Sequence, residues 1–199
     1  MTRSAIRRTP RPPQEVRIIG GAWKRTRLPV ADKPGLRPTP DRVRETLFNW
    51  LGQDLSGWRC LDAFAGSGAL GLEAASRGAA EVLLVEQDGQ LVDGLRQIVT
   101  RLSATGVQVR RGNALTVLQE AAGAGWDLVF LDPPFDAGLF DKALGAAVPA
   151  LRPGGWLYLE APQPWGAVQV EPFGLELLRH LKAGAVHAHL LRRPQTPGP

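Results

Sequence analysis

From Trp58 onward the chain alternates two textures, and that alternation limits the fold more than any other feature. Short apolar or β-branched runs stand at 59–64 (RCLDAF), 81–86 (EVLLVE), 107–111 (VQVRR), 127–132 (DLVFLD) and 155–160 (GWLYLE). Helix-like segments fill 69–77, 89–102, 114–122 and 137–151. Strands separated by helices need right-handed crossovers, so they predict an α/β fold with a doubly wound, mostly parallel sheet. LELLRHL (175–181) and AVHAHLL (185–191) predict a closing strand pair, antiparallel because only a short turn joins them.

The first 57 residues read differently. Residues 1–15 are rich in Pro, Arg and Thr and predict a disordered basic tail. Residues 16–57 predict an extension of hairpin plus helix. Val16–Ile19 is a short strand, Gly20-Gly21 a turn and Trp23–Val30 the returning strand. Asp41 is placed to cap a helix whose apolar face carries Val43, Leu47, Trp50 and Leu51. The α/β domain then spans 58–193, and 194–199 form a second tail. Charge follows the same division: residues 1–44 hold 12 Lys/Arg against 3 Asp/Glu, whereas the remainder is net acidic. Such asymmetry predicts a polyanion-binding arm on an acidic domain.

Composition excludes other classes. Hydrophobic residues make up 44% and charged residues 22%, near the values of globular proteins. A lone Cys60 forbids an internal disulfide, and no secretory or membrane-spanning segment is present in the sequence. The expectation is a cytoplasmic protein without membrane association. His180, His187 and His189 lack the spacing of metal ligands, so no metal is expected. The tryptophans at element ends read as packing anchors.

Strand 59–64 runs directly into Asp62-Ala63-Phe64-Ala65-Gly66-Ser67-Gly68, and Gly66, Gly68 and Gly71 satisfy GxGxxG. Glu86 follows about 20 residues on, which also fits a dinucleotide site. Asp62 argues against that ligand, since a carboxylate beside the loop would repel a pyrophosphate. It would attract the sulfonium and ammonium of S-adenosylmethionine. The glycines would let the backbone approach the methionine moiety, and Glu86 could accept from both ribose hydroxyls.

Strand 127–132 ends in Asp132-Pro133-Pro134-Phe135. A fourth strand lying beside the first carries this tetrapeptide to the carboxyl edge, next to the glycine loop. An exocyclic base amine is a poor nucleophile because its lone pair is delocalised. Acceptors on its N–H bonds, here the Asp132 carboxylate and the Pro133 carbonyl, favour a pyramidal nitrogen. Phe135 offers a face for a flipped-out base.

With these motifs the sequence resembles the class I methyltransferases that act on amino nitrogens. More specifically, it resembles the bacterial 16S ribosomal RNA guanine-N2 methyltransferases, the RsmD-like family. The segments that carry this are RIIGGAWK (17–24), LRPTPDRVRETLFNWL (36–51), LDAFAGSGALGLEAASRGA (61–79), VFLDPPF (129–135) and GGWLYLE (154–160). The resemblance covers about residues 16–162 and implies a seven-stranded sheet. It implies methyl transfer to guanine N2 in small-subunit RNA, with S-adenosylhomocysteine as product. The expected catalytic set is Asp132, Pro133, Pro134 and Phe135. The expected cofactor set is Asp62, Phe64, Ala65, Gly66, Ser67, Gly68, Glu86, Gln87, Asn113 and Ala114. At the third strand's end the family pattern calls for an acid near the adenine amino group, where this chain has Asn113, an uncharged acceptor.

The same resemblance assigns Arg17, Lys24, Arg25, Arg27, Arg37, Arg42 and Arg44 to RNA phosphates, with Arg42 and Arg44 alternatively bracing the cofactor pocket. Ribosomal RNA or the small subunit is the expected partner, and a monomer the expected state. Three rival functions remain open on sequence alone: adenine-N6 methylation of DNA, an NAD-dependent oxidoreductase, and a non-catalytic RNA-binding protein.

Overall fold

The computed structural model describes residues 14–33, 38–135 and 138–195. Two short strands, β1 (Gln14–Arg17) and β2 (Arg27–Val30), form an antiparallel hairpin in which Val16 pairs with Leu28. Pairing therefore begins at Gln14, inside what the sequence reads as tail; residues 1–13 and 196–199 lie outside the described residues. Helix α1 (Asp41–Trp50) follows. Its N-cap is Pro40 and Asp41 is its first residue, so Asp41 does not cap the helix by its side chain. The inward face carries Val43, Arg44, Leu47 and Phe48. Phe48 replaces the expected Trp50, which is only half-buried.

The α/β region runs β3 (Arg59–Asp62), α2 (Ala69–Ser76), β4 (Glu81–Glu86), α3 (Gly89–Arg101) and β5 (Val107–Arg111). It continues through α4 (Ala114–Glu120), β6 (Trp126–Leu131), α5 (Phe140–Ala150) and β7 (Leu151–Ala161). A short helix α6 (Ala167–Val170), a single 3₁₀ turn, and strands β8 (Glu176–Ala183) and β9 (Val186–Arg192) complete it. The seven strands lie in the order β5-β4-β3-β6-β7-β9-β8. The first five are parallel, and β9 is antiparallel to both β7 and β8. The doubly wound, mostly parallel, seven-stranded sheet expected from the sequence is thus observed. α6 and the turn after it were not legible in the periodicity.

Both faces of the sheet are covered, which is why its strands read as nearly continuous apolar runs. On one face Cys60, Leu84, Leu128, Phe130 and Tyr158 join a core with α1, α2 and α3 residues such as Phe48, Leu72 and Leu95. On the other, Leu61, Val129, Leu131, Leu157 and Leu159 pack on α4 and α5 through Leu118, Leu144 and Ala147. All six tryptophans border or join these clusters. The two-residue period of strands continues past the apolar positions. Asp62 follows Cys60, Asp132 follows Phe130 and Glu160 follows Tyr158, so three acids share the face covered by α1 and α2. No helix among the described residues is long and apolar enough to cross a membrane.

The hairpin is fastened to this body mainly at α2, through Ser76 and the Glu73 carboxylate. Glu73 of α2 is wholly buried and accepts from the backbone N–H groups of Ile19 and Gly20, each at 2.8 Å. It also accepts from Arg44 at 3.2 Å and Arg77 at 2.8 Å.

Candidate active site

The strand order puts β3 between β4 and β6, so three strand ends open onto one crevice at the carboxyl edge, where ligands bind in such sheets. A cavity of about 530 Å³ lies there. One wall is the loop from Asp62 to Ser67, a second is Glu86 and Gln87, a third is Gly112 to Leu115, and the fourth is Asp132 to Phe135.

Asp62 is 1% exposed. Its Oδ2 accepts from the Gly71 N–H at 3.0 Å, while its Oδ1 is buried without a partner among the described residues. Burial pushes its carboxyl up to about 7, and the nearby Glu86 and Glu160 charges add to this. The Gly71 hydrogen bond opposes it together with the Phe64 N–H, which lies close without making a hydrogen bond of full geometry to Oδ1. Glu86 places one oxygen on the Gly66 N–H at 3.0 Å and the other on the Asp88 N–H at 2.9 Å, which fixes the carboxylate while leaving further lone pairs. Asn113 caps α4, with its side chain accepting from the Thr116 N–H at 3.2 Å. Desolvation beside Glu160 and Asp62 raises the Asp132 carboxyl well above the usual carboxylate range. Pro133 is buried beneath the tetrapeptide, whereas Phe135 is 39% exposed and leans on Phe140 at a ring separation of 6.4 Å.

The expected glycine roles need correction. Gly66 lines the cavity, but Gly68 does not. Gly68 is the left-handed N-cap of α2 with φ 77°, and a Cβ there would meet Leu95 at 2.6 Å. Gly71 lets α2 lie against β4, since its Cβ would stand 2.2 Å from Leu84. Gly68 serves the packing of α2, Gly71 its packing and the orientation of Asp62, and of the three only Gly66 lines the cavity.

A model of the family described as conserved hypothetical protein 95 matches residues 16–192. Ribosomal RNA small subunit methyltransferase D of Escherichia coli strain K12 is 43% identical over 185 residues, covering 90% of each chain. The chain belongs to the ribosomal RNA small subunit methyltransferase D family. The Haemophilus influenzae member is 38% identical over 180 residues, covering 84% of this chain and 93% of its own. A solved structure of a putative methyltransferase, yhhF, from Escherichia coli superposes with a TM-score of 0.78 at 40% identity, covering 92% of this chain and all of that one.

Within this methyltransferase family member, every expected cofactor and catalytic residue except Gly68 borders the cavity. The basic arm is less uniform. Lys24, Arg25 and Arg42 are exposed, and Arg17 and Arg27 are exposed while paired with Asp41 and Glu15. Arg37 lies outside the described residues. Arg44 is a correction: it is 0% exposed and bonded to Glu73, Asp41 and the carbonyls of Thr39 and Arg17, so no phosphate can reach it. Its place bracing the pocket from beneath is the alternative that survives.

Five residues at or behind the cavity escaped the sequence reading. Pro38 and Thr39 line the cavity from the arm, and Ala185 and Val186 reach it from the turn between β8 and β9. Glu160, at 3% exposure, accepts from Thr39 Oγ1 at 2.6 Å and Tyr158 OH at 2.8 Å. The alternation of GWLYLE with its acid at the strand's end was a usable signal for Glu160. Nothing local announces the others. The three histidines also come together, His180 stacking on His187 at 5.1 Å and on His189 at 4.8 Å.

Proposed function

We propose that this chain transfers a methyl group from S-adenosylmethionine to the exocyclic N2 of a guanine in small-subunit (16S) ribosomal RNA. The observation that carries this is the buried, partnerless Oδ1 of Asp62 in the same cavity as Asp132. A buried acceptor without a donor is costly, and the α-ammonium of the methyl donor is the group that would satisfy it. The Asp62–Ser67 loop would hold the methionine end, Glu86 the ribose, and the Gly112–Ala114 wall the adenine. The bound donor supplies an electrophilic methyl on a sulfonium.

Asp132 and the Pro133 carbonyl accept from the guanine amino group and hold its nitrogen toward the donor, fixed by the two prolines. Phe135 stacks on the extruded base. Arg17, Lys24, Arg25, Arg27 and Arg42 meet phosphates. The names of the relatives support ribosomal RNA over DNA, and a ribosomal substrate implies a cytoplasmic place of action. The chain acts as a monomer. The test is mass spectrometry of ribosomal RNA from cells lacking the gene, which should lack one methylguanosine that the purified protein restores. An unchanged set of modified nucleosides overturns the reading.

A further inference from the structure

Two acids from neighbouring strands, Asp62 and Asp132, line the cavity, and a third, Glu160, lies buried behind Thr39 on the strand beside Asp132. Asp62 ends β3 opposite Phe130 of β6, two residues before Asp132. Leu131 is paired with Leu159 in the parallel β6–β7 ladder, so Asp132 and Glu160 are the next positions on neighbouring chains and emerge on one face, about 5 Å apart at the backbone. Two hydroxyls, from Thr39 and Tyr158, point their protons at Glu160 Oε1. Such donors favour the ionised form of an acceptor. Arg44, from α1, faces Glu160 and Tyr158 and favours that charge as well, though its own N–H groups are spent on Glu73, Asp41 and backbone carbonyls. Glu86, from β4, faces Asp62. Lys33, a cation near this wall, is held by Asp88. Burial raises the Glu160 carboxyl, and the Thr39 and Tyr158 hydrogen bonds and Arg44 oppose that rise. Asp132, which has no such donors among the described residues, sits between Glu160 and Asp62 and is raised well above the usual carboxylate range.

Resting on the donor proposed above, we infer that Glu160 is a positioning residue: its clamped carboxylate keeps a proton on Asp132 while the cavity is empty, and binding of a sulfonium releases that proton. The sequence of charges closes on itself. Asp132–H loses H⁺ to solvent when a cation enters. Its carboxylate then accepts a hydrogen bond from the guanine amine. As the N–C bond forms and the C–S bond breaks, the nitrogen gains one positive charge and passes its extra proton to Asp132. Loss of the neutral thioether product leaves Asp132 protonated again. Asp62 answers to the ammonium, which both donor and product carry, whereas Asp132 answers to the sulfonium, which only the donor carries. A protonated Asp132 accepts from an amino group only through an uncharged carbonyl oxygen, a weaker grip than the carboxylate's, so the arrangement also favours binding of donor before RNA.

Calorimetric titration of the full chain near pH 7, in phosphate and in Tris, reads proton release from the dependence of binding enthalpy on the buffer. S-adenosylmethionine should release more protons than S-adenosylhomocysteine, read as a larger buffer dependence of its binding enthalpy. Glu160→Gln should cut that difference at least about two-fold, and Asp132→Asn should abolish it. Equal release by the two ligands overturns the inference with wild-type protein alone, even if a variant fails to fold. An unchanged difference in folded Glu160→Gln overturns the role of Glu160. Both failures leave the donor reading standing, because binding itself is seen as heat. Absence of binding by either ligand overturns both.

Discussion

The Arg44 guanidinium meets the Glu73 carboxylate at 3.2 Å with both side chains fully shielded from solvent. Glu73 also receives two backbone N–H groups of the hairpin, so a single buried anion joins α1, α2 and the arm. Removing one partner of such a pair strands the other charge in the interior. Arg44→Ala is expected to lower stability by about 3–5 kcal/mol. Urea unfolding of mutant and wild type checks this; a loss near that of an exposed pair, under about 1 kcal/mol, contradicts it.

In the role proposed for Asp132, Asp132→Ala removes one charge-assisted acceptor from the nitrogen to be methylated. Turnover on small ribosomal subunits should fall about 10- to 100-fold, the equivalent of about 1.5–3 kcal/mol. Donor affinity should change little, because Asp62 and Glu86 remain. Single-turnover methylation with labelled donor separates the two quantities.

Asp62 predicts a pH dependence of the empty protein. Its carboxyl is raised from 3.8 to about 7 by burial, so between those values the folded state binds more protons than the unfolded chain. Stability from this group is therefore greatest at low pH and declines as pH rises through that window. His189, lowered to about 4 by burial, works the other way below its ordinary value of 6.5. Comparison with Asp62→Asn isolates the first effect: the mutant's melting temperature should fall less between pH 5 and pH 7.5 than the wild type's. Parallel curves would contradict it.

Lys24, Arg25 and Arg42 are exposed cations of the arm and form no ion pair among the described residues. Replacing all three with Ala should weaken RNA binding and reduce the slope of log K against log salt by about 2, at about 0.7 per phosphate contact on single-stranded RNA. The rate at saturating RNA should hold. Filter binding across a salt series measures the slope, and an unchanged slope removes these residues from the interface.

What could be read in advance follows from range. The sheet was legible because its strands announce themselves by period and its crossovers have one hand. The cavity's four walls were legible because each is a strand end with a short motif behind it. Arg44 was misread because a charge in a helix is ordinarily solvated, and its partner Glu73 lies 29 residues away on another helix. Helical spacing alone sets Arg44 beside Leu47, Phe48 and Leu51, and the burial of all four follows once the counter-charge is known. The packing need at Gly68 and Gly71 was hidden for the same reason, since the side chains they make room for, Leu95 and Leu84, come from other elements. Thr39 reaches Glu160 across 121 positions, a distance no motif spans.

Thr39 has a consequence for how this molecule can be dissected. Its carbonyl accepts from Arg44 and its hydroxyl donates to Glu160, so one residue rivets the N-terminal arm to the α/β body. A grasping appendage is often a detachable tool, cut away to leave a competent core. Here, trimming the first 50 residues would leave Glu73 without Arg44 and Glu160 without Thr39, two flaws in the body that remains. The appendage is better regarded as a keystone than as a handle.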